Sequence, residues 1–205
     1  MSREHLRLDN VAIGELAEVS LAIAPGEIVC LSGASGSGKS RLLRAVADLE
    51  PHEGEIWLGD NAQALTPGHA WRRQVMLVAA ESHWWAETVA EHFADEPEAA
   101  ELEALGLEPE ALAWQIGRLS TGEKQRLGLL RAVSREPRVL LLDEPTANLD
   151  DATSERVEAW LTERIRARGW PTLWVAHDRG QIARVASRHW RVASGRLEEA
   201  DVAWA

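Results

Sequence analysis

The stretch that decides the fold is Gly33-Ala34-Ser35-Gly36-Ser37-Gly38-Lys39-Ser40. Before it, Ile28-Val29-Cys30-Leu31 is an apolar run suited to a short buried strand. After it, Arg41 to Leu49 suits a helix with Leu42, Leu43, Val46 and Leu49 on one side. Strand, glycine-rich turn and helix are the context in which the spacing G-x-x-x-x-G-K-[S/T] binds phosphate. Gly33, Gly36 and Gly38, with Ser35 and Ser37 among them, let backbone N–H groups converge on phosphate oxygens without Cβ clashes. The helix start adds a partial positive charge. Lys39 is placed to reach the outer phosphates, and the Ser40 hydroxyl to hold Mg2+. By itself the loop says only that the chain handles a nucleoside triphosphate, since kinases and GTPases share it.

Outward from the loop, strand-like and helix-like stretches alternate. Leu6-Arg7-Leu8 and Ser20-Leu21-Ala22-Ile23 suit two early strands, closed by a turn at Pro25-Gly26. Glu55 to Leu58 and Val75 to Val78 suggest further strands, with a loop from Asn61 to Gly68. Between about Glu87 and Gln115 the chain is rich in Ala, Glu and Leu, with Pro97 and Pro109 as helix-start punctuation, and several short helices are expected. A longer helix is expected from Gly122 to Ser134. Val139-Leu140-Leu141-Leu142 is an unbroken apolar run, as in a parallel strand buried on both faces. Thr153 to Arg168 is expected to be a helix burying Val157, Trp160, Leu161 and Ile165. A strand follows over Thr172 to Ala176, then a helix to about Ala186, then a last strand near Trp190 and Val192. The expected fold class is α/β of the P-loop NTPase kind, a mostly parallel sheet with an N-terminal antiparallel β part and a small helical subdomain. A single domain over residues 1–205 is expected, with the helical part at about 82–135 inserted in it.

Composition narrows the classes. The 33 Asp and Glu against 22 Lys and Arg leave a net charge of −11, which speaks against a nucleic-acid binder. No stretch approaches the ~20 apolar residues that span a bilayer. The start, Met1-Ser2-Arg3-Glu4-His5, lacks the apolar segment of a signal peptide. A cytoplasmic chain is therefore expected. Cys30 alone offers no internal disulfide and suits a small buried strand residue. The ten tryptophans are scattered, and most are expected to fill core.

Four further stretches carry a resemblance. Leu119-Ser120-Thr121-Gly122-Glu123-Lys124-Gln125-Arg126 resembles the LSGGQ signature of ABC ATPases. Val139 to Pro145 looks like their Walker B strand, Thr146-Ala147-Asn148-Leu149-Asp150 like the D-loop, and Trp174-Val175-Ala176-His177-Asp178 like the switch-histidine region. With the phosphate loop they stand in the family's order from residue 33 to residue 178. The chain thus resembles an ABC transporter ATP-binding subunit.

That resemblance implies ATP and Mg2+ as cofactors. It implies Glu144 as catalytic base, His177 and Lys39 at the γ-phosphate, and Ser40 and Asp143 as metal holders. Ser120 and Gly122 would serve the ATP of a second copy, and Asp150 would report across that interface. A head-to-tail homodimer with ATP at the interface follows. So does an integral membrane permease on a separate chain, with this subunit peripheral on the inner face of the cell membrane and no nucleic-acid partner. The residue types suit these roles: a carboxylate can polarise water, and a histidine can stabilise developing charge. Plainer roles exist too: a strand-end acid for Glu144, a packed or capping residue for His177, an N-cap for Ser120. A softer similarity, from the compact length, Gly122 to Arg126 and Trp71-Arg72-Arg73-Gln74-Val75, is to FetA/YbbL-type metal or iron export ATPases.

Three positions depart from the family pattern. No aromatic precedes Trp57, and Val11 or Ile13 stands roughly where the family stacks adenine. Ala80 occupies the position of the Q-loop Gln, so either Glu81 beside it substitutes or coupling runs differently. Arg41 follows Ser40 where threonine is common, either on the α-phosphate or in solvent. Weak base selectivity with retained hydrolysis is expected. Ser82-His83-Trp84-Trp85 opens the segment that docks the membrane subunit in the family, so the two tryptophans are candidates for docking or for core.

Overall fold

The computed structural model describes residues 4–202. Met1 to Arg3 and Trp204 lie outside the described residues. Two sheets carry the chain. The first is antiparallel, in the order β2-β1-β4-β5, from β1 (Leu6–Ile13), β2 (Leu16–Ile23), β4 (Glu53–Leu58) and the two-residue β5 (Asn61–Ala62). The second has the order β10-β9-β3-β8-β7-β6, from β3 (Ile28–Gly33), β6 (Val75–Val78), β7 (Val139–Asp143), β8 (Thr172–Val175), β9 (Arg188–Ala193) and β10 (Arg196–Ala200). Every pairing in it is parallel except β9 with β10. The helices are α1 (Lys39–Val46), α2 (Gly68–Gln74), α3 (Ala99–Ala104), α4 (Thr121–Val133), α5 (Asp151–Arg168) and α6 (Arg179–Val185). This is the α/β architecture of a P-loop NTPase, with its antiparallel N-terminal part.

Why β3, β7 and β8 are apolar along most of their length is visible in their alternate side chains. Cys30, Leu140, Leu142 and Trp174 fall in one buried cluster with residues of α4, α5 and α6. Val29, Leu31, Leu141, Leu173 and Val175 fall in the other, with α1, Trp71 of α2 and the antiparallel sheet. A strand covered on both faces has no solvent side on which to place polar residues. Burial also pushes the Cys30 thiol up to about 12, which leaves it an inert core residue. Seven tryptophans sit in or against these clusters: Trp71, Trp84, Trp114, Trp160, Trp170, Trp174 and Trp190.

Several expectations need correcting. α1 ends at Val46, the chain leaves it through Asp48 at φ 57°, and Leu49 is 55% exposed rather than on the buried side. The Asn61 to Gly68 loop holds β5 and a 3-10 turn at Gln63–Leu65, and α2 follows. Residues 87–115 hold short helices as expected, with Pro97 and Pro109 near two of their starts, but most are 3-10 rather than α. Beside α3 they hold only 3-10 turns at Ala90–His92 and Pro109–Ala113, tied by a bridge from Thr88 to Gln115. Segments this short do not repay helix nucleation, so tertiary contacts set their shape. Arg126 shows how: its guanidinium donates to the Leu105 and Gly106 carbonyls just past α3. β10 has no counterpart in the sequence reading, because Arg196-Leu197-Glu198-Glu199-Ala200 carries little apolar signal.

Candidate active site

Parallel pairing puts the C-terminal ends of β3, β7 and β8 side by side, since Leu31 pairs with Val175 and Asp143 pairs with Val175. Loops leaving that edge are where ligands bind in such sheets. The glycine-rich loop leaves β3. Gly33, Gly36 and Gly38 adopt φ of 142°, 78° and 98°. A Cβ on Gly33 would lie 2.7 Å from the Val192 carbonyl, so only glycine fits. No side chain caps the start of α1, which leaves its first N–H groups for an anion.

Lys39, 5% exposed, folds back into the loop. Its Nζ donates to the Gly33 and Ala34 carbonyls at 2.9 Å each. Desolvation lowers its pKa, and the nearby charges of Glu144 and Asp143 pull the other way. The Ser40 hydroxyl donates to Asp143 Oδ1 at 3.0 Å. Glu144 follows at φ 50°, a left-handed conformation that turns its side chain out of the β7 direction. His177 Nε2 then lies 2.8 Å from Glu144 Oε1. The structure thus brings Lys39, Ser40, Asp143, Glu144 and His177 together at one sheet edge. A hydroxyl and a carboxylate oxygen converging beside a phosphate cradle are hard donors of the kind Mg2+ takes.

Ser120 and Asp150 are N-caps in this single chain. Ser120 Oγ accepts from the Glu123 N–H at 3.2 Å, and the Ser120 N–H and hydroxyl each donate to Glu123 Oε2 at 2.7 Å, a complete capping box. Those hydrogen bonds hold the Glu123 carboxyl below its usual range. Asp150 accepts from the Thr153 N–H at 2.9 Å, which lowers its pKa as well. A Cβ on Gly122 would lie 3.1 Å from Leu149 Cδ2, so the start of α4 packs directly on the stretch before α5.

Arg41 is exposed at the surface, as one of its two expectations has it. Its Nε donates to Glu50 Oε1 at 2.6 Å, and its guanidinium covers Gly14 in the β1–β2 turn. Val11 and Ile13 are 0% and 4% exposed, so neither offers a stacking face for a base. Glu81 is exposed and lines a cleft of about 150 Å3 with Ser82, Gly128, Arg131 and Arg135. Trp84 and Trp85 stand edge-on to the buried His92, at 4.8 and 4.6 Å, with the Arg131 guanidinium over both rings. Only Trp85 is exposed, at 67%. His92 Nε2 accepts from the Trp85 and Ala86 N–H groups, which sets this loop.

The sequence reading missed a polar network behind the site: the buried Thr146, Glu158 and Gln181, with the exposed Arg184 closing it. Gln181 Nε2 donates to Thr146 Oγ1 at 2.6 Å and to Glu158 Oε1 at 2.8 Å. Thr146 and Gln181 stand 35 positions apart, and no local spacing announces the pair. Glu158, at a core-facing helix position, was the one available signal.

A profile of the ABC transporter family matches residues 16–147. The chain belongs to that family. Among curated relatives, this ABC chain is 36% identical over 199 residues to the Fe(3+) ions import ATP-binding protein FbpC of Streptomyces coelicolor, covering 90% of this chain and 56% of the relative. It is 35% identical over 207 residues to the sulfate/thiosulfate import ATP-binding protein CysA of Brucella melitensis, with the same two shares. It is 38% identical over 184 residues to the aliphatic sulfonates import ATP-binding protein SsuB 1 of Pseudomonas fluorescens, covering 88% of this chain and 68% of that one. The ABC chain therefore spans little more than half the length of the first two. Among solved structures, an ATP-bound bacterial Atm1-family ABC exporter superposes with a TM-score of 0.83 at 26% identity, over 98% of this chain and 39% of that one. No helix among the described residues is long and apolar enough to cross a membrane.

Proposed function

We propose that this chain binds and hydrolyses ATP as the ATP-binding subunit of an ABC transporter. The observation that carries the reading is the meeting of Lys39, Ser40, Asp143, Glu144 and His177 at one sheet edge, beside an uncapped helix start. In this reading Lys39 exchanges the Gly33 and Ala34 carbonyls for phosphate oxygens. Gly33, Ser35, Gly36, Ser37 and Gly38 form the cradle. Ser40 and Asp143 would hold Mg2+, which would neutralise phosphate charge. Glu144 orients and deprotonates the attacking water, and His177 faces the terminal phosphate. ATPase assays of the wild type and Glu144→Gln test this: turnover in the first and little in the second is expected. Equal turnover in both would sink it.

In this reading Ser120, Gly122 and Asp150, at the starts of α4 and α5, would serve the ATP of a second copy, which makes a head-to-tail homodimer part of the proposal. With ATP, Glu144→Gln is expected to elute as a dimer, and an elution volume unchanged by ATP would count against it. A membrane permease on a separate chain would dock over Trp85 and the Arg131–Arg135 cleft, which places this subunit on the cytoplasmic membrane face. Trp85→Ala should then lose co-purification with the permease while keeping basal turnover. Iron, sulfate and sulfonate import belong to the relatives' names, and the structural neighbour is an exporter. The proposed function therefore names no cargo and no direction, and the similarity to metal or iron export ATPases adds none. One observation favours a second reading, a non-hydrolysing regulatory subunit: Ala80 carries no side-chain donor or acceptor at the Q-loop position.

A further inference from the structure

Glu144 and His177 sit on separate loops, and two direct links join those loops at the site. One is the 2.8 Å bond between the two half-exposed side chains, and the other runs from the Glu144 N–H to the Val175 carbonyl at 3.2 Å. The first link must open whenever a reacting group enters between the side chains. Behind them lies a third connection, removed from solvent. Gln181 is 7% exposed on the first turn of α6, whose N-cap Asp178 adjoins His177 and accepts from the Gln181 N–H at 2.7 Å. Thr146 is 8% exposed, two residues after Glu144, in a turn closed by the Ala147 N–H on the Glu144 carbonyl. The Gln181 amide therefore spans the two loops, with one hydrogen on Thr146 Oγ1 and the other on Glu158 Oε1.

Glu158 anchors this bridge to α5. It is 3% exposed, and Arg184 Nε and Nη2 donate to it at 2.7 and 3.1 Å. The carboxylate thus accepts three N–H groups, and it draws the Arg184 pKa upward. The pair joins a buried carboxylate to an Arg184 side chain that is 43% exposed, and such a pair is weak evidence for stability. What a satisfied polar network provides is a single arrangement of the elements that carry it. Here those elements are the Glu144 turn, α5 and the His177-proximal end of α6. All border one cleft of about 500 Å3, lined also by Glu144 and His177.

We infer that Gln181, held by Glu158, is a positioning residue that keeps Glu144 and His177 in mutual register, both while the direct bond between them is formed and when it opens. The inference rests on the proposed hydrolysis at Glu144. Gln181→Leu removes both donors at similar volume and is expected to lower kcat about tenfold, with the Kd for a non-hydrolysable ATP analogue changing less than twofold. In a His177→Ala background the same substitution is expected to cost less than twofold, since the effect passes through His177. A full tenfold loss in that background would overturn the inference, as would a kcat unchanged by Gln181→Leu. Thr146→Val, smaller in consequence and mild for folding, is expected to lower kcat about threefold, and Thr146→Ser to restore it. A readout free of turnover is the 15N shift of His177 Nε2, which reports its bond to Glu144. Gln181→Leu should move it in the same sense as Glu144→Gln, and a wild-type shift in Gln181→Leu would overturn the inference. If Glu144→Gln turns over ATP like the wild type, hydrolysis at Glu144 falls, while the nitrogen shift still decides the positioning.

Discussion

The phosphate end of the site and the opposite end, at the β1–β2 turn, are built differently. At the phosphate end, Lys39, Ser40, Asp143, Glu144 and His177 hang from the edge of a sheet buried on both faces. At the other end, β1 and β2 pair as far as Ile13 with Leu16, and Val11 and Ile13 turn into the core. Arg41 covers the turn but is engaged by Glu50. One end gathers the proposed reacting groups on a sheet buried on both faces. The other presents no aromatic face and one occupied cation. The difference teaches that the triphosphate, not the base, would carry recognition here.

The largest effect should come from the complete end. Glu144→Gln is expected to reduce ATP turnover at least about 100-fold, measured as phosphate release, in keeping with the loss of a general base. A smaller effect is expected at the start of α4. Ser120→Ala should lower stability by about 1 kcal/mol in denaturant unfolding, the ordinary worth of an N-cap. The Glu123 carboxyl gives this cap a pH dependence. Its pKa is lowered in the folded chain, so its contribution is complete above the ordinary carboxylate value of about 4.3. That contribution is lost as pH falls through the lower folded value. Glu123→Gln should therefore flatten part of the drop in Tm on acidification below about pH 4.3.

The stripped positions should respond least. Ala80→Gln is expected to raise ATP turnover on the order of threefold, about 0.7 kcal/mol of barrier, if the absent amide limits the rate. An unchanged rate would make Ala80 irrelevant to chemistry. Arg41→Ala should shift the Kd for ATP by less than about twofold, because its exposed pair with Glu50 is worth little. ATP and GTP should turn over at comparable rates. A strong ATP preference, or a large loss in Arg41→Ala, would show that the turn end does recognise the base and would erase the contrast between the two ends.

Much of this was legible in the sequence because the signals were local. The Gly33 to Ser40 spacing, the unbroken Val139 to Leu142 run and the ordered signature stretches depend on neighbours in the chain. They announced the α/β fold, the nucleotide loop and family membership. Positions 87–115 announced short helices, and the structure makes two of the three 3-10 turns, because segments this short do not repay an α-helical nucleus.

Sequence alone determined which chemical groups this protein carries, in what order, and on which kind of element. Tertiary structure alone decided which of them meet. Sheet pairing brought β3, β7 and β8 together and so set Ser40 on Asp143 and His177 on Glu144. It also turned Arg41 to Glu50 and tied Gln181 to Thr146 and Glu158. The physical reason is range: a loop's backbone geometry follows from its own residues, while a hydrogen bond across 35 positions exists only once the core has packed the elements that carry it.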